Sequence, residues 1–213
     1  MMSDVIQAVK NFNRKRKTKD PCQGCGLHRN YCICELIPSL NLRTKICLVI
    51  HKKELKRTTN TGQLAIKSLV NSEMRIRGEF NNKALDLSDL LIPEYRTLLF
   101  FPADDATELT TEFVQTSLLP IQLIIPDGNW RQASKVHSRH PELSQVQKVK
   151  ISSVNTSAHH LRAEHLPEGM ATLEAIAYAL GIIEGVKIKN ILLDLYQAKL
   201  KNTLKSRGIK VEF

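Results

Sequence analysis

The sequence predicts an α/β fold: a mainly parallel sheet with helices on both faces. Three observations carry this. TKICLVIH (44–51), TLLFFP (97–102) and IQLIIP (121–126) are near-continuous apolar runs of strand length, the pattern of strands buried on both sides. Segments with helical spacing alternate with them, as crossover connections require. Each run also ends in a polar loop, namely HKKELKRTTNTG, PADDA and PDGNWRQ. Parallel sheets hold their ligands beyond the carboxyl ends of their strands, so these three loops are expected to converge.

The elements follow in order. Residues 1–20 form a basic N-terminal arm whose NRKRKTK run suits either solvated surface or contact with RNA. Residues 21–38, PCQGCGLHRNYCICELIP, form a small cysteine module, and residues 39–213 the α/β domain. After the first strand, QLAIKSLVNS places Leu64, Ala65, Ile66, Leu69 and Val70 at helical spacing, with Asn60-Thr61 in the N-cap region. ADDATELTTEFVQTSLL reads as a loop entering a helix. NWRQASKVHSRHP reads as a loop entering a short helix that Pro141 ends. VQKVKIS (146–152) is a weaker fourth strand. ATLEAIAYALGIIEG (171–185) is a helix stopped by Gly185. KIKNILLDLYQAKLKNTLKSRG is a basic amphipathic helix carrying Ile191, Leu192, Leu195, Tyr196, Ala198 and Leu200.

At 213 residues and 42% hydrophobic content, the chain suits one α/β domain with a small satellite. No apolar run spans a bilayer, and the N-terminus has neither a signal-peptide core nor a cleavage site. A cytoplasmic protein with no membrane partner is expected. The net charge of +10 favours polyanions, nucleic acid first; a solubility surplus is the plainer alternative.

Four of the five cysteines fall in Cys22-x2-Cys25-x6-Cys32-x-Cys34. Without an export signal, this clustering reads as metal ligation rather than disulfides. Zn2+ prefers four such ligands in a tetrahedron, and a site filled by protein is structural. Unliganded thiols and an iron–sulfur cluster are the alternatives. His28, Arg29, Asn30 and Tyr31 lie between the cysteine pairs, where they can meet RNA. Cys47, inside ICLVI, reads as a small buried hydrophobe.

The third strand ends in Asp127-Gly128-Asn129-Trp130, followed by Arg131 and Lys135. Asp127 suits a general base or a helix cap, and the only tryptophan, Trp130, a stacking platform or a core residue. Five segments now stand in one order: CQGCGLHRNYCIC, the HKKELKRTTNTG loop, LLFFPADDA, LIIPDGNWRQASK and ATLEA. Together they resemble the DTW-domain family, the tRNA-uridine aminocarboxypropyltransferases, over nearly the whole chain, from about Cys22 to Tyr196. The D-x-T-W motif falls on Asp127–Trp130, with Asn129 at its third position. Asn keeps a hydrogen-bonding side chain and loses the β-branch.

The resemblance implies a SPOUT-like fold with a deep trefoil knot around S-adenosylmethionine (SAM) as co-substrate, and tRNA as partner. It implies transfer of the 3-amino-3-carboxypropyl group to uridine N3 with release of methylthioadenosine. Methyl transfer to RNA, and a non-enzymatic zinc-stabilised RNA-binding module, are the competing readings. Asp127 and Trp130 would be catalytic. Thr61, Gly62, Pro102, Asp105, Ile125, Pro126 and Glu174 would hold the cofactor. Asn60, Arg131 and Lys135 would meet the substrate, and Thr59, His51 and Glu54 flank the same loop. Knotted relatives are often dimers; a monomer is equally open. His159, His160 and His165 cluster in a polar loop with poor metal spacing, where their titration can tune RNA affinity.

Overall fold

The computed structural model describes residues 18–78, 85–152 and 170–209. Most of the basic arm and the histidines His159, His160 and His165 lie outside the described residues. Six strands form one sheet: β1 Lys45–His51, β2 Ser72–Arg77, β3 Arg96–Phe100, β4 Thr107–Glu108, β5 Ile121–Asp127 and β6 Lys148–Lys150. Their order is β2-β1-β5-β3-β6-β4, and every pairing is parallel. The helices are α1 Gly62–Ser68, α2 Thr111–Gln115, α3 Trp130–Ala133, α4 Lys135–Arg139, α5 Thr172–Ile183 and α6 Val186–Ser206. Among the described residues, no helix is long and apolar enough to cross a membrane.

Strand alternation divides the core into two layers. Ile46, Leu48 and Ile50 of β1, with Leu123 and Ile125 of β5, face α1, α5 and α6, where Leu64, Ile176, Leu180, Leu195 and Tyr196 complete the packing. Cys47, Val49, Leu99 and Ile124 point the other way, onto Leu87, Leu90, Val136 and Leu143. Cys47 is the buried hydrophobe its setting predicts, and burial pushes its thiol up to about 12.

The three strong strands sit where their apolar runs place them. Two strands were not legible. In β2, SEMRIR alternates weakly because the strand is an edge, paired to β1 alone. β4 is only two residues long. The third apolar run continues past Pro126 as strand, to Asp127. Proline is tolerated there because the ladder to β3 has ended at Ile124, and only β1 still runs alongside. The NWRQASKVHSRHP helix divides into α3 and α4 before Pro141.

The cysteine module shares the core of the domain: Cys25, Leu27 and Ile33 are buried in the layer that contains α5 and α6. Lys199 of α6, 1% exposed, donates to the Cys25 carbonyl at 2.6 Å. Lys67 of α1 donates to the Gly24 carbonyl, and Asn202 to that of Tyr31 at 3.3 Å. Burial holds the Lys199 ammonium down to about 8.

At the amino end of the sheet, Glu184 just after α5 accepts from the Thr44 amide at 2.7 Å and its hydroxyl at 2.5 Å. Glu184→Ala removes both charge-assisted bonds. It is expected to cost roughly 1.5–3 kcal/mol, measured as a lower urea midpoint at unchanged slope.

Candidate active site and metal centre

Asp127 ends β5 on the face that carries α1 and α5, and it is 6% exposed. Its Oδ2 accepts from Asn60 Nδ2 at 2.6 Å, and its Oδ1 from Thr172 Oγ1 at 2.6 Å. An ionised carboxylate, acceptor-only, matches both donors. Asn60 is itself fixed from both ends, because its Oδ1 accepts from the Gln63 amide at 3.1 Å in the first turn of α1. The amide therefore serves the capping reading and holds the carboxylate as well.

The loop before α5 is locked in the same way. Its N-cap is Ala171, which has no side-chain acceptor. Glu174 reaches back to the Ala171 amide at 3.3 Å, one half of a capping box. The other half comes from a different loop: Thr61 Oγ1 accepts from the Leu173 amide at 3.2 Å. Gly62 fits beneath this junction, since a Cβ there would lie 3.0 Å from both Asp127 Oδ2 and Leu48 Cδ2. Asn60, Thr61, Gly62, Glu174 and Asp127 thus meet in one place. Thr172 was missed as a donor; its signal was the TLEA match, read only as a helix start.

Asn129 explains its own presence. Its Oδ1 accepts from the Gln132 amide at 2.9 Å, while Gln132 Oε1 accepts from the Asn129 amide at 2.9 Å. This reciprocal pair caps α3, so a capping role once open to Asp127 belongs to Asn129. Asn and Thr both serve at that position. Trp130 is the first residue of α3, and its side chain is outside the described structure. Arg131 is exposed and Lys135 half-buried.

Pro102 follows β3 and is exposed, beside the end of β5. Asp105 is turned to β6, paired with Lys148 at 2.6 Å, and that bond holds its carboxyl below the usual range. Ile125 is core, and Pro126 half-buried. His51 Nδ1 accepts from the Lys53 amide at 3.2 Å, and the buried Glu54 pairs with Arg57 at 3.1 Å. A cavity of about 240 Å³ lined by Glu108, Ile151, Ser152, Tyr178 and Lys189 contains none of the predicted site residues. The predicted residues that meet do so at the carboxyl ends of β1 and β5.

The four clustered cysteines can hold a metal ion. Their Sγ atoms lie within 4.8 Å of one another, with Cys22–Cys34 and Cys22–Cys32 at 3.5 Å and Cys25–Cys32 at 3.9 Å. A tetrahedron with Zn–S bonds near 2.3 Å has edges of about 3.8 Å. The amides of Cys25 and Gly24 hold the Cys22 thiol down to about 6, whereas burial and the neighbouring sulfurs push Cys34 up to about 12. A cation at the centre is what lets all four ionise together. Gly24 admits the turn: a Cβ there would collide with Cys34 Sγ.

Two outcomes are expected. Purified protein should carry one metal ion per chain by elemental mass spectrometry, and Gly24→Ala should lose it; a metal-free, fully folded wild type would contradict the site. Asn129→Ala should cost about 1 kcal/mol by urea denaturation, and Asn129→Thr clearly less. Equal losses would separate Asn129 from capping.

The chain is similar to known proteins over most of its length. A tRNA-uridine aminocarboxypropyltransferase 2 from Drosophila melanogaster is 28% identical over 180 residues, covering 81% of this chain and 68% of its own. Its Macaca fascicularis counterpart is 22% identical over 172 residues, 79% of this chain and 58% of its own, so the chain spans little more than half of that relative. A tRNA-uridine aminocarboxypropyltransferase A from Arabidopsis thaliana is 24% identical, covering 87% of this chain and 84% of its own. No solved structure matches. The DTW domain model matches residues 19–204, from the cysteine module through α6, and the chain belongs to the DTW-domain family.

Proposed function

We propose that this protein is a tRNA-uridine aminocarboxypropyltransferase, transferring the 3-amino-3-carboxypropyl group of SAM to N3 of a tRNA uridine. Family membership and the names of its relatives support a transferase that modifies tRNA. The observation that carries the reading is the buried Asp127 carboxylate, held by Asn60 and Thr172 at the carboxyl ends of β1 and β5.

The reaction breaks the N3–H bond and the bond between sulfonium sulfur and the γ-methylene carbon. The N3 lone pair forms the new N–C bond, the C–S electron pair returns to sulfur, and neutral methylthioadenosine leaves. Asp127 takes the N3 proton, a role worth about 10²–10⁴ in rate. Holding N3, carbon and sulfur in line supplies much of the remainder. Trp130 stacks a base or the adenine, and Arg131 and Lys135 grip phosphate or the SAM carboxylate. Thr61 and Glu174 shape the SAM pocket by fixing backbone, Gly62 by leaving room. Pro102 and Pro126 line its far side, with Ile125 packed in the core behind Pro126 and Asp105 drawn away by Lys148. Zn2+ on Cys22, Cys25, Cys32 and Cys34 is structural, fastening the module to α6.

The test is mass spectrometry of a defined tRNA after incubation with protein and SAM. One uridine should gain an aminocarboxypropyl group, with methylthioadenosine formed in equal amount. A methyl-sized gain would make the protein a methyltransferase, and no gain with intact tRNA binding a bare RNA-binding module. Asp127→Asn should lower kcat about 10²–10⁴-fold with tRNA affinity nearly unchanged; full activity would remove Asp127 as the base.

A further inference from the structure

On the opposite face of the sheet from Asp127 lies a second cluster that this reading does not use. Arg77 ends the edge strand β2, in register with His51 at the end of β1. It is only 8% exposed. Its Nη1 donates to the Gln132 carbonyl in α3 at 3.2 Å, a neutral acceptor and its one hydrogen-bond partner among the described residues. No carboxylate among those residues pairs with it. Arg139 at the end of α4, a charge of its own sign, depresses it after burial does; Arg77 with Lys53 adds to burial in holding His51 below the usual imidazole range, against the opposing pull of Glu54. Gly78 leaves the space His51 occupies, since a Cβ there would lie 3.1 Å from His51 Nε2.

Buried cations in proteins are paired, because an unpaired one loses its hydration without compensation. Here, among the described residues, a guanidinium with five donors has one neutral bond and one cationic neighbour, Arg139. Its fork matches a phosphate, which accepts two parallel N–H bonds and relieves the repulsion with Arg139. The place fits a bound polynucleotide. From the end of β5, Arg77 lies two strand spacings away, roughly 10 Å, and Gln132 belongs to the helix that begins with Trp130.

We propose that Arg77 and Arg139, with His51 beside them, form a phosphate-binding site for the RNA backbone, seating the strand whose uridine reaches Asp127. This rests on the tRNA-modifying reading and specifies the face that docks. Binding of a defined tRNA to wild type, Arg77→Gln, Arg77→Lys and Arg139→Gln would be followed by fluorescence anisotropy across a salt series. Each glutamine variant is expected to weaken binding and to flatten the slope of log Kobs against log salt by about 0.7–0.9 for one lost phosphate contact. Arg77→Lys should keep the slope and lose part of the affinity. An unchanged slope in Arg139→Gln, an exposed position where folding is not at risk, together with an unchanged slope in a folded Arg77→Gln, would overturn the proposal. So would an Arg77→Gln that lowers turnover at saturating tRNA without moving the slope, the result of a purely structural arginine positioning α3. Wild-type transfer of the aminocarboxypropyl group with unaltered variant slopes would sink this site alone. Salt-sensitive binding by wild type without transfer would sink the reaction and leave the site standing.

Discussion

The carboxylate of Asp127 is the interaction on which the rest of the site depends. Three chain segments far apart in sequence meet at it: the end of β5, the loop before α1 and the start of α5. Each hydrogen bond to a charged group contributes roughly 1.5–3 kcal/mol, and a carboxylate this buried is tolerable only with both. Around it the loop before α1 caps both helix starts, its own through Asn60 and that of α5 through Thr61, so it cannot shift without uncapping α5. The result is a carboxylate of fixed direction, the preorganisation that general-base chemistry uses.

The cysteine module is built into the same frame. Its apolar residues join the core layer of α5 and α6, and two lysines donate to the backbone carbonyls of Gly24 and Cys25 within the knuckle. A divalent ion on four thiolates would leave net negative charge, which the buried Lys199 and the nearby Lys67 would offset. A metal held there would brace α6, and through α5 the loop that supplies Thr172.

The sequence made the centre of the fold legible and its edges obscure. ICLVI and IQLII are unmistakable because they are buried on both faces, whereas SEMRIR and Thr107–Glu108 are edge elements with nothing to impose a strong pattern. The cysteine cluster was legible because its spacing is that of metal ligands. Asp127, Asn60 and Thr61 were found through strand ends and motif resemblance, but their hydrogen-bond partners were not. Which donor meets which carboxylate oxygen depends on tertiary placement. Thr172 looks like any helix-start threonine until α5 is laid against β5. Arg77 was overlooked for a similar reason, since an arginine in an edge strand reads as surface until α3 covers it.

The most direct test is a crystal structure of the metal-loaded protein with methylthioadenosine bound. The account requires the nucleoside at the carboxyl ends of β1, β5 and β3, its sulfur directed toward Asp127, with Asn60 and Thr172 still holding the carboxylate. A nucleoside seated elsewhere, such as the cavity beside Tyr178 and Lys189, with Asp127 sealed from it, would contradict the account.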